Sequence, residues 1–167
     1  MSNAAPAKAS RSIEVLEHDH SKALRKLRRL RQDIKGVKEY KTVDVARESI
    51  QQFVDFLDEV INEHFKQEEV ALFPVMKQKL GEAYGPIDAM LDDHKQVVEA
   101  HGKMKAELKK EQPDMRELVA AAEVVLDVLE PHIDKEDEVI QPLALRLLSQ
   151  EELEQVDLKA REVRSMN

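Results

Sequence analysis

Four apolar stripes at helical spacing run through this chain, and a histidine interrupts each of them on its inner face. The first stripe is Ile13, Leu16, Ala23, Leu24, Leu27, Leu30 and Ile34, with His20 in phase. The second is Ile50, Phe53, Leu57, Val60, Ile61 and Leu72, with His64 and Glu68 in phase. The third is Ile87, Met90, Leu91, Val97, Val98, Met104 and Leu108, with His94 in phase. The fourth is Leu118, Ala121, Ala122, Val125, Leu129, Val139, Ile140 and Leu143, with His132 and Glu136 in phase. Each helix thus turns one imidazole inward, and two of them add a carboxylate one turn later.

Breaker chemistry sets the expected boundaries. Helix 1 spans about Ser12 to Lys35 and is ended by Gly36. Helix 2 starts near Asp44, and Pro74 either kinks it or starts a short extension. Helix 3 runs from Pro86, a suitable first helical residue, to Glu111. Asp114 with Glu117 reads as a capping box for helix 4, and local irregularity is expected at Pro131 and Pro142. Ser149 with Glu152 suggests a second box and a short fifth helix to about Arg164. The expected class is all-α: an up-down-up-down four-helix bundle with a short C-terminal fifth helix. The expected organisation is a disordered tail over 1–11, the bundle over 12–149 and the short helix over 150–167.

Composition agrees and narrows the function. In 167 residues, 42% are apolar and only 4% aromatic, so the core must be mainly aliphatic. Charged residues reach 36%, with four Gly and six Pro, a mix suited to long helices. The net charge of -8 argues against a nucleic-acid partner. No Cys is present, which excludes disulfides and thiolate metal sites. No apolar run is long enough for a membrane span, and the first residues lack the apolar stretch of a signal peptide. A cytoplasmic location is the expectation.

Two buried carboxylates without partners would be costly, and a shared cation removes that cost. Imidazole and carboxylate donors suit iron, manganese or zinc. The candidate metal residues are His20, His64, Glu68, His94, His132 and Glu136. A single inward histidine is more often a satisfied core residue, and a single HxxxE is weak; the weight lies in their repetition. His64 to Glu69 is followed by Pro74, and His132 to Asp137 by Pro142, ten residues after each His. Asp19-His20 and Asp93-His94 stand upstream. The chain therefore reads as two hairpins of the form DH … HxxxE … P. A pseudo-twofold pairing would give each of two metals two imidazoles, with Glu68 and Glu136 bridging. His18 reads as a surface residue, and His101, two turns beyond His94, as core. Glu69 and Asp137 read equally well as groups orienting the ligands from behind or as solvated charges. The basic run Arg25, Lys26, Arg28, Arg29 and Arg31 reads as a solvated face rather than a docking surface.

These motifs, with His64-Phe-x-x-Glu68-Glu69, Leu72-Phe73-Pro74 and His132-Ile-x-x-Glu136, resemble the hemerythrin-like family, the HHE cation-binding domain. The resemblance covers about Ile13 to Leu148. It implies a non-haem di-iron centre, two Fe ions with an oxo or hydroxo bridge, ahead of Mn or Zn. It also implies O2, NO or peroxide as small ligands. Oxygen-carrying hemerythrins have a further His one turn after the helix 3 His, and here that position is Val98. The four-histidine centre would be more open, which shifts the expectation from oxygen carriage toward sensing, oxidase or peroxidase-like chemistry, or iron handling. Ferritin-like bundles use Glu-x-x-His pairs, of which Glu17-x-x-His20 is the single example here. A metal-free bundle serving structure or partner binding is the remaining alternative.

Overall fold

The computed structural model describes residues 9–40 and 43–166. Among these residues every regular element is helical. Helix α1 spans Arg11–Tyr40 and α2 spans Val43–Glu59. The second helix then widens into π-helical turns over Val60–Phe65 and Glu68–Leu72, and continues as α3, Phe73–Leu80. Helix α4 is Gly85–Leu108 and α5 is Met115–Lys135. A third π-helical turn, Glu136–Ile140, leads into α6, Gln141–Leu147, and α7 is Gln150–Ser165.

Local chemistry accounts for most of these ends. Asp114 caps α5 by accepting from the Arg116 N–H at 2.9 Å. Ser149 and Glu152 form the reciprocal capping box that starts α7. Gly81, at φ 96°, ends α3 in a conformation that a side chain would strain. Pro74 and Pro142 occupy the first turns of α3 and α6, directly after π-helical turns. A proline lacks the N–H for the preceding turn and crowds its carbonyl, and a wider turn relieves both.

Several expectations need correction. Gly36 does not end α1, which runs on to Tyr40; a glycine with ordinary φ weakens a helix without breaking it. Pro131 lies inside α5 without interrupting it. The inner face of α4 follows Met90, His94, Val97, His101 and Met104, all buried, whereas Val98 is 45% exposed. Val98 lies about 100° round the helix from Val97, and on α4 that step carries it out of the core. Val139 is likewise outward, and Ile140 takes the buried place. Of the expected tail, residues 1–8 lie outside the described residues. Ser10 and Arg11 are bound instead to Asp157 of α7.

Side-chain pairs give the topology. Asp33 meets Ser49 and Lys22 meets Glu59, so α1 and α2 run antiparallel. Asp58 meets Lys105, and Lys77 meets Asp88, which sets α2–α3 antiparallel to α4. Glu107 meets Asp114 and Asp93 meets Lys135, which does the same for α4 and α5. Arg31 with Glu130 and His20 with Asp137 close the ring between α5 and α1. The fold is the expected up-down-up-down bundle.

Its interior has two apolar halves. One joins Leu27, Leu30, Ile50, Leu57, Val97 and Leu129. The other joins Leu16, Leu72, Met76, Ile87, Ile140 and Val156. The change from one half to the other falls at His20 and His94 on α1 and α4, and at Glu68 and Glu136, one turn past His64 and His132, on the other two. The fifth helix, α7, contributes Leu153, Val156 and Ala160 to the second half, so it completes that core.

Several members of the basic run of α1 are engaged within the bundle. Arg28 donates to the Leu24 carbonyl, Arg29 faces Asp33, and Lys26 lies over the Phe56 ring.

Candidate metal centre

All six sequence-derived residues meet at one level between the two apolar halves, and each is at most 5% exposed. They form two overlapping groups with donor atoms within 4.8 Å of one another: His20, His64, Glu68 and Glu136, and Glu68, His94 and His132. In the first group, His20 Nε2 lies 3.1 Å from His64 Nε2 and 2.9 Å from Glu136 Oε2. Glu68 divides its oxygens between the groups: Oε1 is 3.1 Å from His64 Nε2, and Oε2 is 3.2 Å from His94 Nε2. Glu136 Oε2 lies 3.6 Å from His132 Nε2. His101 is not part of the cluster; it sits beside Asp58. His18 is exposed, as expected.

The outer ring nitrogens face a second set of acids. His20 Nδ1 donates to Asp137 at 2.6 Å, and His94 Nδ1 donates to Glu69 at 2.7 Å. Longer contacts join His64 Nδ1 to Asp19 at 3.5 Å and His132 Nδ1 to Asp93 at 3.4 Å. The pattern repeats between the halves. The aspartate of each Asp-His pair backs the HxxxE histidine of its own half. The acid after each HxxxE glutamate backs the Asp-His histidine of the other half. A carboxylate on Nδ1 holds the proton there and turns the Nε2 lone pair inward. Of the two alternatives for Glu69 and Asp137, the geometry selects the orienting one. Asp19 and Asp93 have the same position and were not foreseen in it. Their signal was the repeated Asp immediately before an inward His.

This tautomer leaves acceptors facing acceptors. Both oxygens of Glu68, both of Glu136, and Nε2 of His94 and His132 are buried with no hydrogen-bond partner. Buried polar atoms are normally satisfied, so this arrangement fits a bound cation: the donors are nitrogen and oxygen, inward and buried.

Without metal, the electrostatics favour protons on the inward nitrogens. Burial pushes the His64 and His94 imidazoles down, yet the carboxylates around them, Glu68 first, together outweigh it. His64 stands well above its usual range, and His94 is raised to about 9, with Glu69 assisting. Burial alone would raise the Glu68 carboxyl, but His64 and His94 hold it well below the usual range. Burial likewise works against the charges of Asp19 and Asp93. His64 beside the first and His132 beside the second keep both carboxyls low and ionised.

Apolar groups wall the cluster. Phe65 stacks on the His94 ring at 3.7 Å and 10°, and Phe73 lies on its other flank at 6.1 Å. A cavity of about 90 Å³, which Phe65 also lines, reaches His20, His64 and His132 past Ala23, Phe56, Val60, Leu129 and Ile133. Its outer residues include Lys22, Glu59 and Glu63. No helix among the described residues is long and apolar enough to cross a membrane.

No curated protein and no solved structure matches the chain. The family model described as hemerythrin HHE cation binding domain matches residues 11–144. That span contains all six inward residues and the four acids behind them, and the chain belongs to the hemerythrin HHE cation-binding domain family.

Proposed function

We propose that this protein holds two iron ions between its helices and uses them to bind or sense O2, NO or a related small ligand. The observation that carries the reading is the Glu68 carboxylate. One oxygen faces the His20–His64 pair and the other faces the His94–His132 pair, at 3.1 and 3.2 Å. A carboxylate so placed suits a bridge between two cations. In this reading the four histidines and the two glutamates would hold the ions, with Glu136 touching both imidazole sets. Nitrogen and oxygen donors without thiolate favour iron over softer metals. When bound, the iron pair supplies redox and ligand-binding chemistry that side chains lack.

The chain's own residues shape that chemistry. Asp19, Glu69, Asp93 and Asp137 keep the Nδ1 protons in place and make the inward nitrogens better donors. Phe65 and Phe73 close the His94 side. The 90 Å³ cavity leaves room beside His20, His64 and His132 for a molecule of a few atoms, since one water needs only about 10–15 Å³ by the same measure. Its apolar wall favours a small, weakly polar ligand.

Anaerobic iron loading followed by metal analysis and optical spectroscopy tests the proposal. The expected result is about two irons per chain, near-ultraviolet charge-transfer absorption after oxidation, and a spectral change with NO in the reduced protein. A chain that retains only trace iron under these conditions defeats the reading.

A further inference from the structure

The two halves of the centre differ in where the aspartate behind the HxxxE histidine finds a cation. In the second half, Asp93 Oδ2 faces two groups at once: His132 Nδ1 at 3.4 Å and Lys135 Nζ at 3.4 Å. Lys135 stands three residues after His132, inside the HxxxE motif. The residue three after His64 is Gln67, which is uncharged and donates its amide to the Glu63 carbonyl. At this position the first half has no cation of its own.

Helix α7 brings one from outside the repeat. Asp157 accepts from the Ser12 N–H at 2.9 Å, which fixes α7 against the first turn of α1. Seven residues further along each helix, about two turns, Arg164 Nη2 comes to 3.9 Å from Asp19 Oδ2. That oxygen is the one that faces His64 Nδ1 at 3.5 Å. The two helices thus run side by side in the same direction, and the register set by Asp157 carries Arg164 to the edge of the centre. The other oxygen of Asp19 faces the exposed His18 at 3.9 Å. The Asp19 side chain is 36% exposed, so water and His18 compete with His64 for it. Helix α7 lies beyond residues 11–144, the span that the family model matches.

We propose that Arg164 is a positioning residue for the metal centre, holding Asp19 against His64 as Lys135 holds Asp93 against His132. Its effect on metal affinity rests on the iron reading above; its placement of Asp19 does not. At 3.9 Å the contact is a charge attraction rather than a hydrogen bond. It therefore steers the carboxylate between His64 and solvent. A part-exposed ion pair stabilises little by itself. Here the steered carboxylate orients a metal ligand, and ligand orientation feeds directly into metal affinity.

Iron affinity by chelator competition tests this in Arg164→Gln, Arg164→Lys, Asp19→Asn and the double variant Asp19→Asn/Arg164→Gln. Arg164→Gln should weaken iron binding about two- to fivefold, the scale of a part-exposed ion pair. Arg164→Lys should recover most of that loss. With Asp19→Asn already in place, Arg164→Gln should add nothing further. Nitrogen-15 NMR of the metal-free chain gives an arm that needs no iron. The His64 Nδ1–H signal should shift in Arg164→Gln and stay in place in Lys135→Gln, and the His132 signal should do the reverse. Parent-like iron affinity in Arg164→Gln overturns the proposal. So does an equal loss in the Asp19→Asn background, which would mean a general loosening of α7, and so does an unmoved His64 signal. A parent chain that holds only trace iron defeats the iron reading instead, and the NMR arm then decides the role of Arg164.

Discussion

At the scale of single residues, the acids behind the histidines separate this site from a chance collection of polar groups. Removing a group that orients a metal ligand typically costs 10- to 100-fold in metal affinity. Asp137 gives the test least confounded by folding, because its side chain is 41% exposed while it holds the His20 Nδ1 at 2.6 Å. Asp137→Ala should weaken iron binding by about 10- to 100-fold, measured by competition with a coloured chelator, and leave the helical signal intact. Asp93→Ala, whose contact to His132 is longer at 3.4 Å, should have the smaller effect. Unchanged affinity in Asp137→Ala would return that residue to the solvated charges. The six inward residues could be read in the sequence because each breaks an apolar stripe in phase. Asp19 and Asp93 were less visible, because a residue next to an inward position points partly to solvent, and only coordinates show which ring nitrogen it meets.

At the scale of elements, helix phase decides what reaches the centre. Adjacent valines at 97 and 98 both fit an apolar stripe read by eye, and only packing against α5 and α2 chooses Val97, fully buried, over Val98. Val98→His should therefore add no metal ligand: iron content and the near-ultraviolet spectrum should match the parent. A new ligand-field band in that variant would show that α4 can rotate. The prolines at 74 and 142 announced an irregularity. Its form, a π-helical turn beginning at Glu68 and again at Glu136, depends on carbonyl-by-carbonyl competition that periodicity does not encode. The role of α7 was also hidden, since a short amphipathic helix does not say which face it will cover. Asp157 ties it to the first turn of α1 through four hydrogen bonds. Asp157→Ala should cost on the order of 2 kcal/mol. That corresponds to a melting temperature lower by about 4–8 °C in a chain of this size. Amide exchange should quicken first at the start of α1. A change in exchange confined to α5 would contradict this account.

At the scale of the whole molecule, a polar layer across an apolar bundle makes stability depend on what occupies the layer. Without metal, protons take that place. The raised histidines bind protons more tightly in the fold than in the open chain. Their contribution is complete below about the ordinary imidazole value of 6.5 and fades as pH rises toward about 9, where His94 loses its proton. Glu68, held well below the ordinary carboxyl value of 4.5, contributes above that value and loses its contribution as pH falls further. The cluster thus stabilises the metal-free protein most between about pH 4.5 and 6.5 and progressively less up to about pH 9. Metal reverses the trend over the upper range. Its ligands must be unprotonated, so affinity climbs with pH, and a cation bound only by the folded chain adds stability by mass action. Scanning calorimetry of the metal-free and iron-loaded chain at pH 6.5 and 9 should show the two melting temperatures diverging as pH rises. The metal-free curve should fall while the loaded curve holds or climbs, and a strong chelator should collapse the second onto the first. Parallel curves would mean that protons and metal do not compete for the same nitrogens, and the inward imidazoles could not then be the ligands.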